Sequence, residues 1–436
     1  MNNEKLLQRS LQAVWHPCTQ MKSHETMPMV PIQHGDGVWL YDMDGKRYLD
    51  AVSSWWVNLF GHNNPRIKDA IKLQLDQLEH VILAGFTHEP VVQLSEKLAQ
   101  LTGLGHAFYA SDGASATEIA LKMSFHYWRN SGFTQKTQFI SLQNSYHGET
   151  LGALSVTDVA IFKDTYAPLL RQSAQMPSPD WRLAEVGETA EAFALRCADA
   201  FETYVATHHE TIAAFIIEPL VQCAAGMGMY HPVYLQRARQ ICNQYQVHLI
   251  ADEIAVGFGR TGTMFATEQA GIRPDFICLS KGITGGYLPL SVVLTTDHIY
   301  QAFYDDSVAR GFLHSHSYTG NALACSAALA TLAIFEHDNI LAANQRKAAY
   351  MNNRLQALAD LPILHLRQLG MISAFDVVST NPQFQKTFYL AALQRGLIVR
   401  PIGNTVYFMP PYVIDEAEMD WLVDQTRQIL IELDIT

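Results

Sequence analysis

The strongest constraint in this sequence is a pair of short apolar runs, each delivering a charged residue. Val247-His-Leu-Ile250 leads through Ala251 into Asp252 and Glu253, and Pro274-Asp-Phe-Ile-Cys-Leu-Ser280 leads into Lys281. Runs of this length suit buried strands of a parallel sheet. In open α/β sheets the crevice beyond the carboxyl ends of the strands is where ligands bind. Two such strands bring a carboxylate and an amine into one pocket. Glycines crowd both sites, in Gly257-Phe-Gly-Arg-Thr-Gly262 and in Gly282, Gly285 and Gly286.

The rest of the chain supports an α/β architecture. Strand candidates at 107–110, 137–142, 212–217, 247–251, 276–279 and 290–295 alternate with helical spacing, which predicts a mostly parallel sheet covered by helices. Before them, Val38–Leu49 reads as a hairpin turning at Asp44-Gly45. Residues 3–14, 66–79 and 90–101 carry helical apolar spacing, and a helix is expected to begin near Ala116. A long helix over 322–336, apolar on one face, is expected to leave the large lobe, and a last helix lies near Glu416–Leu433. At 436 residues the chain is too long for one simple core. The expected division is an N-terminal segment (1–62) contributing to a small lobe, a large domain (63–325) and a C-terminal small domain (326–436).

Composition narrows the function classes. A formal net charge of -12 argues against a nucleic-acid partner. No apolar run approaches the ~20 residues of a membrane span, and the opening Met1–Lys5 lacks the apolar core of a secretory signal. The six cysteines are scattered without a zinc spacing, as expected of free thiols in a reducing cytoplasm.

Several stretches carry candidate chemistry. An aspartate opposite a pyridine nitrogen and a lysine able to form a Schiff base are what pyridoxal phosphate requires, so Asp252 and Lys281 point to that cofactor. Ser111-Asp-Gly-Ala114 joins a strand end to a helix start, where free N–H groups and the dipole favour an anion. Gly113 and Ala114 read as the backbone half of a phosphate cup, with an ordinary capped helix as the plain alternative. Tyr146 offers an aromatic face and His147 a hydrogen bond beside it, or the two are simply structural. His314-Ser-His-Ser-Tyr-Thr-Gly320 is dense in donors. Histidines at i, i+2 without an acidic third ligand make a poor metal site, and a phosphate-contacting loop fits better. Arg400 can clamp a carboxylate in bidentate fashion or remain solvated. Trp55 and Trp56 line a substrate channel or fill the core. Gly257–Gly262 matches G-x-G-x-x-G only formally, because no acidic partner follows at the spacing a dinucleotide fold needs.

Taken together these motifs resemble the class III pyridoxal-phosphate aminotransferases, of the aspartate-aminotransferase fold (fold type I). Ser53-Ser-Trp-Trp56 and Arg400-Pro with Met409-Pro-Pro-Tyr412 resemble their biotin-biosynthetic branch. The resemblance runs from about residue 8 to 430. It implies that Lys281 holds the cofactor covalently and moves the proton, and that Asp252 keeps the pyridine nitrogen protonated. It implies phosphate contacts from Gly113 and Ala114, with His316 and Ser317 completing the cup from the partner subunit of a homodimer. Arg400 would bind the carboxylate of 8-amino-7-oxononanoate, with Trp55, Tyr146, Ser315 and Cys18 around that substrate. The implied donor is S-adenosylmethionine, with lysine as the alternative, and the rival activity is an ω-amino acid or diamine transaminase. Relatives often carry Tyr at Cys18, Ser at Ala114 and Gly-Pro-Thr at Ser315-His316-Ser317.

Overall fold

The computed structural model describes residues 2–433; Met1, the first residue of the opening stretch, lies outside them. The chain forms two compact units, one of residues 66–342 and one of residues 1–65 with 343–436.

The first unit is built on a seven-stranded sheet. Its strands are β1 (His106–Ala110), β2 (Gln138–Leu142), β3 (Ala174–Met176), β4 (Ile212–Ile217), β5 (His248–Asp252), β6 (Phe276–Leu279) and β7 (Ser291–Thr295), in the spatial order β1-β7-β6-β5-β4-β2-β3. All pairings are parallel except those that β7 makes with β6 and β1. The expected mostly parallel sheet is therefore present, and six of its strands fall within a residue of the expected ranges. The short strand β3 lacks a long apolar run and was not anticipated. Every residue of β4, β5, β6 and β7 is buried, as helices on both faces of a parallel sheet require. Ile119, Trp128, Ile216, Phe276 and Val293 meet in the core between the sheet and the Gly113–Asn130 helix.

The Ala322–Asp338 helix buries one face most deeply, as its spacing leads one to expect: Ala324, Cys325, Ala328, Leu332 and Phe335 are all buried along it, while Leu323, Ser326, Ala330 and Ala333 on the other side are only partly covered. It packs against the Glu89–Thr102 helix and the turn at Lys281–Thr284 within this unit.

A buried lysine ties three chain segments below the sheet. Lys136 Nζ donates to the carbonyls of His209, Ile212 and Gln246 at 2.7, 3.0 and 2.8 Å and lies 4.6 Å from the Trp128 ring centroid. Lys136→Met would leave three enclosed carbonyls without this donor. Unsatisfied buried acceptors cost about 1–3 kcal/mol each, so a loss of roughly 2–4 kcal/mol is expected after relaxation, read as a lower urea midpoint of the apo-protein. An unchanged midpoint would show that these carbonyls find other donors.

In the second unit the expected hairpin forms from Trp39–Asp42 and Arg47–Asp50, flanked by Ile32–Asp36 on one side and Leu397–Ile398 on the other. A three-stranded sheet (Ile363–Leu369, Ile372–Val377, Thr405–Phe408) and the Glu416–Glu432 helix belong to the same unit. That helix is closed by a capping box between Asp415 and Glu418. Among the described residues no helix is long and apolar enough to cross a membrane.

Candidate active site

The parallel strands of the large sheet release their functional side chains at one edge. Asp252 ends β5 and pairs in register with Cys278 of β6, so Lys281 arrives three residues beyond the same level. Glu218 follows β4 directly, Tyr146 and His147 follow β2, and Gly113 follows β1. This is the crevice expected at the carboxyl ends of strands.

Asp252 is 4% exposed. Its Oδ2 accepts from His147 Nδ1 at 2.7 Å and its Oδ1 accepts from the Ile254 N–H at 3.1 Å. His147 is held in turn: its N–H donates to Thr157 Oγ1, and its carbonyl accepts from Thr117 Oγ1. Its Nε2 is buried and has no hydrogen-bond partner among the described residues. With Nδ1 engaged by the carboxylate, Nε2 is the ring atom left for a further polar partner.

Lys281 sits in a left-handed turn, φ 43°, where a non-glycine residue is unusual. Its ammonium end is enclosed, although the residue retains some solvent exposure. That burial holds its pKa below the usual lysine range, against the opposing pull of Cys223, Asp252 and Glu218.

Glu218 was not anticipated from the sequence. Its carboxylate accepts from the Tyr146 N–H at 3.0 Å and the Cys223 N–H at 3.1 Å, so one side chain joins two of the loops. Burial pushes it up to about 7, with His147 opposing and Asp252 adding to the shift. The signal was available in Ile216-Ile-Glu218, an apolar strand ending on an acid as at Asp252. Glu253, beside Asp252, faces away: it accepts from the Ala266 and Thr267 N–H groups and is likewise raised by burial to about 7.

The Gly113–Asn130 helix begins three residues before Ala116 because Asp112 caps it, accepting from the Ser115 N–H at 2.9 Å. Gly113 and Ala114 therefore form the first turn, where N–H groups have no intrahelical partner. Space there is tight: a Cβ on Gly113 would lie 3.0 Å from Ile254, and one on Gly148 would lie 2.6 Å from the Ala114 Cβ. Within one chain His316 Nε2 is hydrogen-bonded to Ser111 Oγ at 3.0 Å, two residues before Gly113. Ser315 and Ser317 are exposed, and the Ser317 carbonyl accepts from His80 Nε2 at 2.8 Å. His314 accepts from Lys122 Nζ, and no group of potential metal ligands assembles among the described residues. Tyr146 donates its hydroxyl to Glu149 and packs its ring against Phe162. Gly257–Gly262 forms a turn followed only by the short 3₁₀ helix Ala266–Ala270, with a bond from the Gly259 N–H to the Met264 carbonyl.

The other unit contains Trp55, Arg400 and Cys18. Ser53, Ser54, Trp55 and Trp56 have φ of 50°, 48°, 74° and 72°, a single left-handed helical turn. Such backbone costs about 1–2 kcal/mol per L-residue, so it persists only under local constraint. The turn sends its two tryptophans different ways. Trp56 is buried and donates Nε1–H to the Tyr407 hydroxyl at 3.1 Å. Trp55 is 48% exposed, with the Arg400 guanidinium 5.3 Å from its ring centroid. Ser53 Oγ donates to the Met409 carbonyl and the Met409 N–H to the Ala51 carbonyl, so Met409-Pro-Pro-Tyr412 runs along this turn. Cys18 is exposed.

The Aminotransferase class-III family model matches residues 20–430. A Helicobacter pylori protein named adenosylmethionine-8-amino-7-oxononanoate aminotransferase is 48% identical, over 99% of this chain and 98% of that one. The crystal structure of the Methanocaldococcus jannaschii enzyme of the same name superposes with a TM-score of 0.93 at 35% identity, covering 98% of this chain and 99% of that one. An omega transaminase from Pseudomonas jessenii in complex with PMP gives 0.93 at 29% identity, over 98% of each chain. With a family match over nearly its whole length and relatives alike from end to end, this chain belongs to the class-III aminotransferases.

Proposed function

We propose that this protein is the aminotransferase of biotin biosynthesis that transfers the amino group of S-adenosylmethionine to 8-amino-7-oxononanoate, giving 7,8-diaminononanoate, in the cytoplasm. The observation that carries this reading is the end-to-end likeness to relatives bearing that enzyme's name, the first at 48% identity. Trp55 and Arg400, side by side on their turn and strand end, agree with it.

The cofactor is pyridoxal 5′-phosphate, which when bound supplies an electron sink for exchanging an amino group between two carbons. The residues fit it: a buried carboxylate, an enclosed amine, a helix start rich in N–H groups and a buried His147 Nε2 left for a polar partner. Asp252 serves as the anion that keeps a ring nitrogen protonated, and His147 fixes its orientation. Lys281 would anchor the cofactor covalently and would move the proton at the reacting carbon of each substrate in turn. Its depressed pKa keeps a larger share of the amine neutral and able to accept that proton. Gly113 and Ala114 hold the phosphate through their N–H groups. Tyr146 stacks on the ring, its backbone held by Glu218.

Arg400 clamps the carboxylate of the keto substrate, with Trp55 packing along its chain and Cys18 near it. Arg400→Ala is expected to raise the KM for 8-amino-7-oxononanoate about ten- to a hundredfold, the value of a charge-assisted pair. The KM for the donor should move far less, and an unchanged keto-acid KM would remove Arg400 from the site.

A second copy of the chain completes the cup with His316 and Ser317. Exposed Ile82, Phe86, Leu313 and Tyr318 support such an interface. They belong to the loop of His316 and to the segment tied to it by His80, whose ring lies 5.2 Å from that of Tyr318.

The test is a donor half-reaction followed by the cofactor's visible band. Bleaching by S-adenosylmethionine, reversed by 8-amino-7-oxononanoate, is the expected result. Bleaching by lysine alone would change the donor. A response only to 4-aminobutyrate would move the protein to the ω-transaminases, to which its fold is equally close.

A further inference from the structure

The left-handed turn at Ser53–Trp56 is held by a carboxylate that the mechanism above does not use. Asp50, the last residue of the hairpin strand, has a fully buried side chain. Its Oδ1 accepts from the Ser54 N–H at 2.9 Å, and its Oδ2 accepts from the Ser54 hydroxyl at 2.7 Å and from His62 Nε2 at 3.0 Å. His62 is oriented from its other side by the Asn58 amide, 3.1 Å from Nδ1. The neutral imidazole with its proton on Nε2 satisfies both contacts.

His62 is itself clamped. Its backbone N–H and carbonyl bridge to Gly37 at 2.7 and 3.2 Å. Its side chain rests on Gly35, where a Cβ would come within 2.6 Å of the His62 Cβ. A rigid strand edge therefore fixes His62, His62 fixes Asp50, and Asp50 fixes the backbone and hydroxyl of the residue preceding Trp55. Since αL backbone is disfavoured for serine and tryptophan, releasing these bonds frees the turn to leave that conformation. The exposed Trp55 ring would then depart from Arg400.

We propose that Asp50, oriented by His62, is a positioning residue for the acceptor: it holds Trp55 against Arg400 without touching substrate. This rests on the reading of Trp55 and Arg400 as acceptor contacts. Asp50→Asn preserves size but puts an amide donor where Ser54 Oγ and His62 Nε2 both donate.

The experiment compares the holoenzyme with Asp50→Asn, Trp55→Ala and the double variant. Asp50→Asn is expected to raise the KM for 8-amino-7-oxononanoate about tenfold, the worth of one charge-assisted hydrogen bond. Its kcat and its cofactor spectrum should stay near wild type. In the Trp55→Ala background the same substitution should add less than about twofold, because its effect passes through that ring. A well-folded Asp50→Asn enzyme with unchanged acceptor KM would overturn the proposal, as would full additivity with Trp55→Ala. Should Asp50→Asn not fold, Ser54→Ala removes only the hydroxyl link, and an acceptor KM unchanged in that variant has the same consequence. A wild-type enzyme that does not aminate 8-amino-7-oxononanoate would instead refute the substrate assignment.

Discussion

Lys281→Ala is expected to leave a protein that still takes up pyridoxal phosphate but loses it on gel filtration and turns over at least about 10⁴-fold more slowly. Two functions disappear at once. On the proposed mechanism the enclosed amine is both the covalent anchor and the base, and burial already depresses its pKa. Positioned proton transfer alone is worth roughly 10²–10⁴-fold, and the lost nucleophile adds to this. Helix-start N–H groups and Asp252 survive the substitution, so binding persists in weakened form. Borohydride reduction followed by mass spectrometry gives an independent readout: wild type should gain the cofactor's mass at Lys281 and the variant should gain none. Multiple turnover by Lys281→Ala would remove this lysine from the mechanism.

Asp252→Ala should be nearly as damaging, for a different reason. The carboxylate is 4% exposed and bonded to His147 at 2.7 Å. Losing one preorganised electrostatic partner of a reacting charge costs about 10²–10³-fold in rate. His147 would then have neither its Nδ1 acceptor nor a fixed ring orientation. Both half-reactions should slow together, since the same anion serves both, whereas Arg400→Ala is selective for the keto acid. A variant slowed with only one of the two substrates would place Asp252 among the substrate contacts instead.

Glu218 shows why part of this site escaped the sequence. Its acid ends an apolar strand as Asp252 does, but its use lies in two backbone N–H groups on other loops, at Tyr146 and Cys223. No local pattern predicts which loop a carboxylate will reach. The start of the Gly113 helix was off by three residues for a related reason, since the Asp112 cap competes with apolar periodicity and wins.

The large sheet and the charged residues at its edge are legible in the sequence alone. Short apolar runs suit strands buried on both faces within a helix-covered sheet, and residues at the carboxyl ends of its parallel strands stand at the crevice. Asp252 and Lys281 follow from that alone. Only the tertiary structure decided the Ser53–Trp56 turn. Four consecutive non-glycine residues at positive φ run against every local preference. They are held there by Asp50, by the Met409 carbonyl and by Tyr407, the last two more than 350 residues away along the chain. Bonds between distant segments can outweigh backbone preference once folding has brought those segments together, and no window of sequence contains them.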